Sequence, residues 1–155
     1  MRRVIAGLVV AGLWVSVGDG AERAPTAGIA VVVGSGSTVH DITKDTLRDV
    51  YLRQQRVWPD GRGIVPINLP ATHPIREAFS RAVLGRSTQD LVSYWSGRFF
   101  DGITPPQVLP SPTAVRRFIA AEPGAIAYLP MSEVDESCRV LIVLDSLPRS
   151  SATRE

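Results

Sequence analysis

The sequence has 155 residues, 45% of them hydrophobic and 21% charged, which is enough for one folded domain and too short for two. Its single cysteine, Cys138, excludes an internal disulfide bond and a thiolate metal cluster. The formal net charge of +2 equals the charge of Arg2 and Arg3, so the rest of the chain is balanced. This balance argues against nucleic-acid binding, which favours a clustered basic surface.

The first 21 residues have the three-part pattern of a secretory signal peptide. Two arginines precede an uncharged apolar run over residues 4–17, and small residues follow over 18–21. The apolar run is shorter than the ~20 residues that a membrane-spanning helix needs. The pattern therefore predicts export by a cleavable signal peptide, with a membrane anchor as the alternative.

The first part of the domain alternates between strand and helix patterns. Residues 29–33 form a continuous β-branched run, which is typical of a strand buried on both faces. Thr43 is placed to cap a helix whose apolar face ends at Tyr51. A turn at residues 59–61 then leads into a second predicted strand over residues 64–68.

The second part continues the alternation. Helices are predicted to begin at Pro74, at Ser87 and at Ser111, and strands are predicted over residues 125–129 and 139–144. These elements predict a three-layer α/β sandwich with a mostly parallel sheet of about four strands and flanking helices. The aromatic side chains of the third helix are expected to pack in the core: Tyr94, Trp95, Phe99 and Phe100.

A ligand edge follows from this architecture, because open parallel sheets bind ligands at the carboxyl ends of their strands. Three loops are expected to meet there, over residues 34–38, 69–73 and 130–132. The candidate ligand-binding residues in these loops and the helix behind them are Ser35, Gly36, Ser37, Thr38, Thr72, His73 and Arg76.

The glycine-serine turn at residues 34–38 does not match a nucleotide-binding motif. A dinucleotide fingerprint needs a third glycine where Val39 stands, and a P-loop needs a Lys-Ser/Thr pair that is missing. The turn is either part of a ligand site or a plain connection between strand and helix.

Thr72 and His73 lie at a predicted helix start, and Arg76 lies in its first turn. Helix N-termini attract anions, and a histidine and an arginine add charge-assisted donors. Pro74 removes one of the backbone N–H groups. The alternative is that Thr72 or His73 only caps the helix while Arg76 faces solvent.

Catalysis and metal binding are not expected. Ser35 or Ser37 could be combined with His40 and Asp41, but no nucleophile elbow precedes a helix at the required turn. Two histidines without a carboxylate at helical spacing do not make a zinc site. We therefore expect a protein that is not an enzyme and that uses no cofactor.

Several segments, taken in order, resemble periplasmic phosphate-binding proteins of ABC transporters, and most closely short proteobacterial proteins that consist of little more than one lobe. The resemblance extends over residues 29–144. The segments are LRDVYL from Leu47, WPDG from Trp58, VPIN from Val65, REAF from Arg76, YW at 94–95, FFDG from Phe99, PP at 105–106 and PGAIAY from Pro123.

The resemblance implies a single lobe of the type II periplasmic binding protein kind over residues 27–147. The polar residues 148–155 are expected to form a flexible tail. It also implies a periplasmic protein that binds phosphate or a similar oxyanion weakly, or only when assembled as a homodimer or with an ABC transporter permease or other envelope protein. The family's Gly-Ser-Gly-Thr turn is replaced here by residues 72–75, Thr-His-Pro-Ile. The alternative is therefore an interaction module that has lost its anion site.

Overall fold

The structure is a computed structural model, and it describes residues 28–145. The signal peptide expected over residues 1–21 and the tail over 148–155 lie outside the described residues. Within the described range, no helix is both long and apolar enough to cross a membrane.

The described residues form one α/β unit with a five-stranded sheet. Strands β1 to β5 span Gly28–Gly34, Val65–Asn68, Gln107–Val108, Ala125–Pro130 and Cys138–Asp145. Helices α1 to α4 span Lys44–Tyr51, Pro74–Phe79, Thr88–Phe99 and Pro112–Ala121. One π-helical turn, Ser80–Leu84, continues α2, and a 3₁₀ turn, Met131–Glu133, follows β4. The predicted α/β fold is confirmed; the two-residue strand β3 was not predicted.

Strand β1 runs against the direction of its neighbours. The sheet order is β3-β2-β4-β1-β5, and β2 pairs in parallel with both β3 and β4. By contrast, β1 is antiparallel to β4 and to β5. Four of the five strands described therefore point the same way, as the predicted mostly parallel sheet requires, and an interior strand points the opposite way.

Helices cover both faces of the sheet. On one face, the Tyr128 ring of β4 stacks on Phe79 of α2, with centroids 3.8 Å apart, and lies near Tyr51 of α1. On the other face, α4 packs against β1 and β4, and the Ile119 carbonyl group lies directly over Gly34. The arrangement is the predicted three-layer sandwich.

The predicted helix starts are confirmed by their capping contacts. The Thr43 hydroxyl accepts a hydrogen bond from the Thr46 N–H at 3.1 Å. Ser87 and Asp90 form a reciprocal capping box at the start of α3. Gly85 ends the π-helical turn with φ of +64°, a left-handed conformation that glycine adopts without steric cost.

Helix α3 is less buried than its sequence predicts. Leu91 is buried and Tyr94 and Trp95 are half-buried, but Phe99 and Phe100 are 68% and 88% exposed. The expectation that all four aromatic residues pack in the core is therefore wrong for these two. The helical spacing was correct, but α3 lies at the margin of the domain, and its end is exposed to solvent.

We predict that Gly34→Ala destabilises the protein by about 2 kcal/mol or more, because an added Cβ would lie 2.2 Å from the Ile119 carbonyl oxygen. The backbone of α4 would have to move to admit it. Urea denaturation followed by circular dichroism measures the change.

The matched control is Gly36→Ala in the adjacent turn, where no atom lies within 4 Å of the added Cβ. Its unfolding midpoint should stay close to that of the unmodified protein. Equal stability of the two variants would contradict the packing of α4 on β1.

Candidate functional site

The candidate residues lie in two groups at the two opposite edges of the sheet that are formed by the ends of the strands. Ile29 pairs with Pro130 and Val32 with Ala127, so β1 ends where β4 begins. Because strands rise about 3.3 Å per residue, the end of β1 lies roughly 15 Å from the end of β4. The expectation that all three loops meet at one edge is wrong, since it assumed that β1 is parallel to the other strands.

The turn that follows β1 contains Ser35, Gly36, Ser37 and Thr38. The Arg139 side chain holds this turn through hydrogen bonds to its backbone. The Arg139 guanidinium donates to the carbonyl oxygens of Ser35 at 2.9 Å, Ser37 at 2.6 Å and Val39 at 3.3 Å. The backbone N–H groups of Ser35 and Ser37 donate to Ser137 and Gly34. The Arg139 contacts use carbonyl oxygens of the turn, and the geometry is that of a braced connection.

An open cleft of about 500 Å³ lies beside this turn. Thr38 donates to the Asp60 carboxylate at 2.7 Å, and this contact ties the two loops that form the cleft together. This hydrogen bond and that of the Arg62 N–H lower the pKa of Asp60. Arg62 pairs with Asp60 at 3.2 Å, Asp41 adds an exposed carboxylate, and the residues that line the cleft include no lysine or arginine, so the cleft does not favour an anion.

At the other edge, Arg76 contacts a group of buried polar side chains at the ends of β2 and β4. Its Nη1 donates to the Tyr128 hydroxyl at 3.3 Å, and this hydroxyl donates to Asn68 Oδ1 at 3.2 Å. The Leu69 N–H also donates to the Tyr128 oxygen, at 3.4 Å. Asn68 and Tyr128 are almost fully buried, whereas Arg76 is half-buried. We call Asn68, Arg76 and Tyr128 the arginine cluster.

Arg76 is a half-buried cation without an acidic partner. No carboxylate in residues 28–145 forms an ion pair with it, and its Nε is buried without an acceptor. Burial raises the pKa of the Tyr128 hydroxyl, and the Arg76 charge opposes that rise. A charge that is partly desolvated and unpaired is costly, and a bound anion would offset that cost.

Thr72 and His73 directly precede α2, the helix that carries Arg76. His73 Nδ1 accepts a hydrogen bond from the Ile75 N–H at 3.4 Å, so His73 caps the helix, as the alternative interpretation predicted. Thr72 is exposed. The structure thus places Thr72, His73 and Arg76 at one edge, and it does not bring Ser35, Gly36, Ser37 or Thr38 to them.

Sequence reasoning missed Asn68 and Tyr128. Each is a polar residue near the end of a buried strand, in the runs VPIN and AIAY. Both strands run in the same direction, so their ends meet at one edge. A search for polar residues at strand ends would have found both. In the part of the chain described, no group of three acidic, histidine or cysteine side chains is placed to hold a metal ion.

Solved structures of phosphate transport proteins share this fold. An ABC-type phosphate transport receptor from Vibrio cholerae is 18% identical, with a TM-score of 0.59, over 74% of this chain and 45% of the receptor. A phosphate ABC transporter substrate-binding protein with bound phosphate from Clostridium perfringens is 22% identical, with a TM-score of 0.60, over 74% of this chain and 44% of that protein. PstS from Borrelia burgdorferi is 12% identical, with a TM-score of 0.55, over 74% of this chain and 47% of PstS.

These likenesses confirm the predicted resemblance at the level of the fold. The chain spans less than half the length of each of these three proteins. No protein-family model and no curated protein matches the sequence.

Two buried tyrosines give a prediction about alkaline stability. Burial raises the pKa of Tyr51 well above its ordinary value of 10.0, and burial also raises the pKa of Tyr128. Above pH 10 the unfolded chain releases these protons while the folded chain retains them, so the free energy of unfolding should fall as pH rises.

The fall should be smaller in Tyr51→Phe, measured by urea denaturation at neutral pH and at about pH 11. A slope that is the same in this variant and in the unmodified protein would show that Tyr51 does not couple proton release to unfolding.

Proposed function

We propose that this chain is an exported substrate-binding protein of a phosphate-type ABC transporter, and that it holds a small oxyanion at the arginine cluster and the start of α2. Arg76 supplies the charge, while Thr72 and His73 lie on the solvent side. The chain binds the oxyanion weakly unless a second surface closes over it. The turn at residues 35–38 lies at the far edge and takes no part.

The unpaired charge of Arg76 is the observation that carries this proposal. A partly desolvated charge is stabilised by a counter-charge, and Arg76 donates only to the neutral hydroxyl of Tyr128. Its buried Nε has no acceptor in the described structure. An oxyanion has several acceptor oxygens and a negative charge, and it would pair with the charge of the guanidinium.

The fold supports the same class of ligand. Two of the structural neighbours are described as phosphate transport proteins, one of them with bound phosphate. Their identity to this chain is at most 22%, which supports a shared fold. That this chain shares their ligand and a transporter partner is the proposal. Export rests on the signal-peptide pattern of residues 1–21.

Weak binding follows from the exposure of the site. An anion held on one face keeps water on the other, and Coulomb attraction there is several-fold weaker than in a closed, desolvated cleft. A homodimer or a transporter permease could supply the missing wall.

We predict that isothermal titration with phosphate shows saturable heat and that Arg76→Gln lowers the affinity about tenfold or more. A hydrogen bond to a charged group contributes about 1.5–3 kcal/mol, and about 1.4 kcal/mol corresponds to a factor of ten. Circular dichroism should show that the variant is folded, because Arg76 makes no ion pair that its loss would break.

The matched control is Arg117→Gln, which removes the same charge from an exposed position on α4. It should bind phosphate as the unmodified protein does. Equal losses in both variants would indicate a general charge effect, and no heat at millimolar phosphate would rule out a soluble receptor.

A second candidate function is an interaction module that docks on an ABC transporter permease or another envelope protein. The observation that favours it is the exposure of Phe99 and Phe100 at the end of α3, because adjacent exposed aromatic side chains are enriched at protein interfaces. Pro74 at the first position of α2 also favours it, since it removes one donor from the anion site.

We predict that a photoreactive amino acid at Phe100 forms a cross-link to a permease subunit in envelope membranes. The same group at Val57, which is 51% exposed and lies outside α3, should form none. Cross-linking that is equal at both positions, or absent at Phe100, would count against docking through α3.

A further inference from the structure

We infer that two copies of this chain pair through the outer side of β5 in antiparallel orientation, so that one sheet continues from the first copy into the second. Strand β1 separates β5 from β4, the strand that carries Tyr128 of the arginine cluster. The pairing surface is therefore distinct from the candidate anion site, and it does not depend on the proposed function.

Strand β5 has the sequence of an interior strand in an outermost position. It ends the sheet order, and among residues 28–145 no strand pairs with its outer side. Its residues 140–144 form a continuous apolar run, which is typical of a strand buried on both faces. Residues 29–33 of β1 have the same pattern and are at most 1% exposed. In β5, Leu144 is buried, but residues 138–142 are half-buried and Val143 is 48% exposed.

The outermost strand on the opposite side, β3, has the features that prevent pairing between sheets. It is two residues long, and prolines stand before it at positions 105 and 106 and after it at position 110. Proline lacks the N–H group that pairing needs, and a short strand offers few groups to pair with. Strand β5 has eight residues and contains neither lysine nor proline. Pairing with a further strand is therefore expected at β5 and not at β3.

The charges of β5 favour a second copy in antiparallel orientation. The charged side chains of the strand are Arg139 near its start and Asp145 at its end. A parallel copy would place like charges side by side, whereas an antiparallel copy places the arginine end of each strand next to the aspartate end of the other. Neither side chain forms an ion pair within residues 28–145. The strand is thus complementary to itself about a two-fold axis.

A bulge in β5 limits the strength of the pairing. Leu141 has no partner in β1, and the extra residue interrupts the regular strand. A two-fold axis next to the bulge places residues 138–140 of one copy against residues 143–145 of the other, so pairing occurs on both sides of it. Two such segments bury less surface than the roughly 1,200 Å² that a stable interface needs, so we expect weak association.

The pairing would place the two arginine clusters at opposite ends of the strands. Strands β4 and β5 point the same way, because both are antiparallel to β1. In an antiparallel copy, the end of β4 that carries Tyr128 points in the other direction. Neither cluster would then lie over the other, so a dimer through β5 does not supply the wall that closes over the proposed anion.

Sedimentation velocity of the mature chain from about 10 µM to about 1 mM tests the pairing, because the dimer fraction of a weak dimer rises with concentration. Val143→Lys places a charge on the exposed part of β5 and should lower the association constant about tenfold or more. A chain that stays monomeric over the whole range would overturn the inference.

The matched control is Val108→Lys on β3, where the valine is 56% exposed on the outermost strand of the other side. It should leave the association constant unchanged. Circular dichroism should show that both variants are folded, because both valines are exposed. Equal losses of association in the two variants, or a dimer that both leave intact, would contradict pairing through β5.

Phosphate titration of Val143→Lys distinguishes this inference from the proposed function. Its affinity should equal that of the unmodified protein, because the pairing leaves both arginine clusters uncovered. A lower affinity in this variant would show that the copies close over the anion, and it would contradict the antiparallel arrangement. Absence of phosphate binding in every protein would count against the proposed function alone, since sedimentation measures the pairing directly.

Discussion

The reversed direction of β1 is the constraint on which the distribution of polar groups depends. Four strands point one way, and β1 lies between β4 and β5 with the opposite direction. The turn that follows β1 is therefore placed at the edge where β4 begins. Two polar regions result, one at the turn that Arg139 braces and one beside Arg76, whose buried Nε has no acceptor in the described structure.

Two half-buried arginines illustrate the difference between the two regions. Neither Arg76 nor Arg139 forms an ion pair in the described part of the chain. Arg139 donates to three carbonyl oxygens of the turn at residues 35–39, and these contacts hold it in a structural role. Arg76 donates to one hydroxyl and has a buried Nε without an acceptor. The number of acceptors around the guanidinium distinguishes Arg139, which has a structural role, from Arg76, which is a candidate anion-binding residue.

Local signals predicted most of the elements, and non-local contacts decided what was missed. The caps at Thr43 and Ser87 are formed by residues three positions apart, so the sequence alone was sufficient to predict them. The direction of β1 depends on pairing with β4, nearly 100 residues later, and no local pattern records it. Likewise, the spacing of Phe99 predicted a helix correctly, but its exposure depends on what lies beneath α3. The arginine cluster was predicted in part, since Arg76 was found and Asn68 and Tyr128 were not.

Tyr128 connects the fold to the candidate site. Its ring stacks on Phe79 of α2, and its hydroxyl accepts a hydrogen bond from Arg76 on the same helix. Strand β4 thus holds α2 at two points, one apolar and one polar, and Asn68 of β2 fixes the orientation of the hydroxyl. Arg76 is positioned by packed elements and not by a loop, so the proposed anion would need little rearrangement of the protein on binding. Because these contacts all lie within the described residues, an added wall would act on the proposed site by excluding water from the anion.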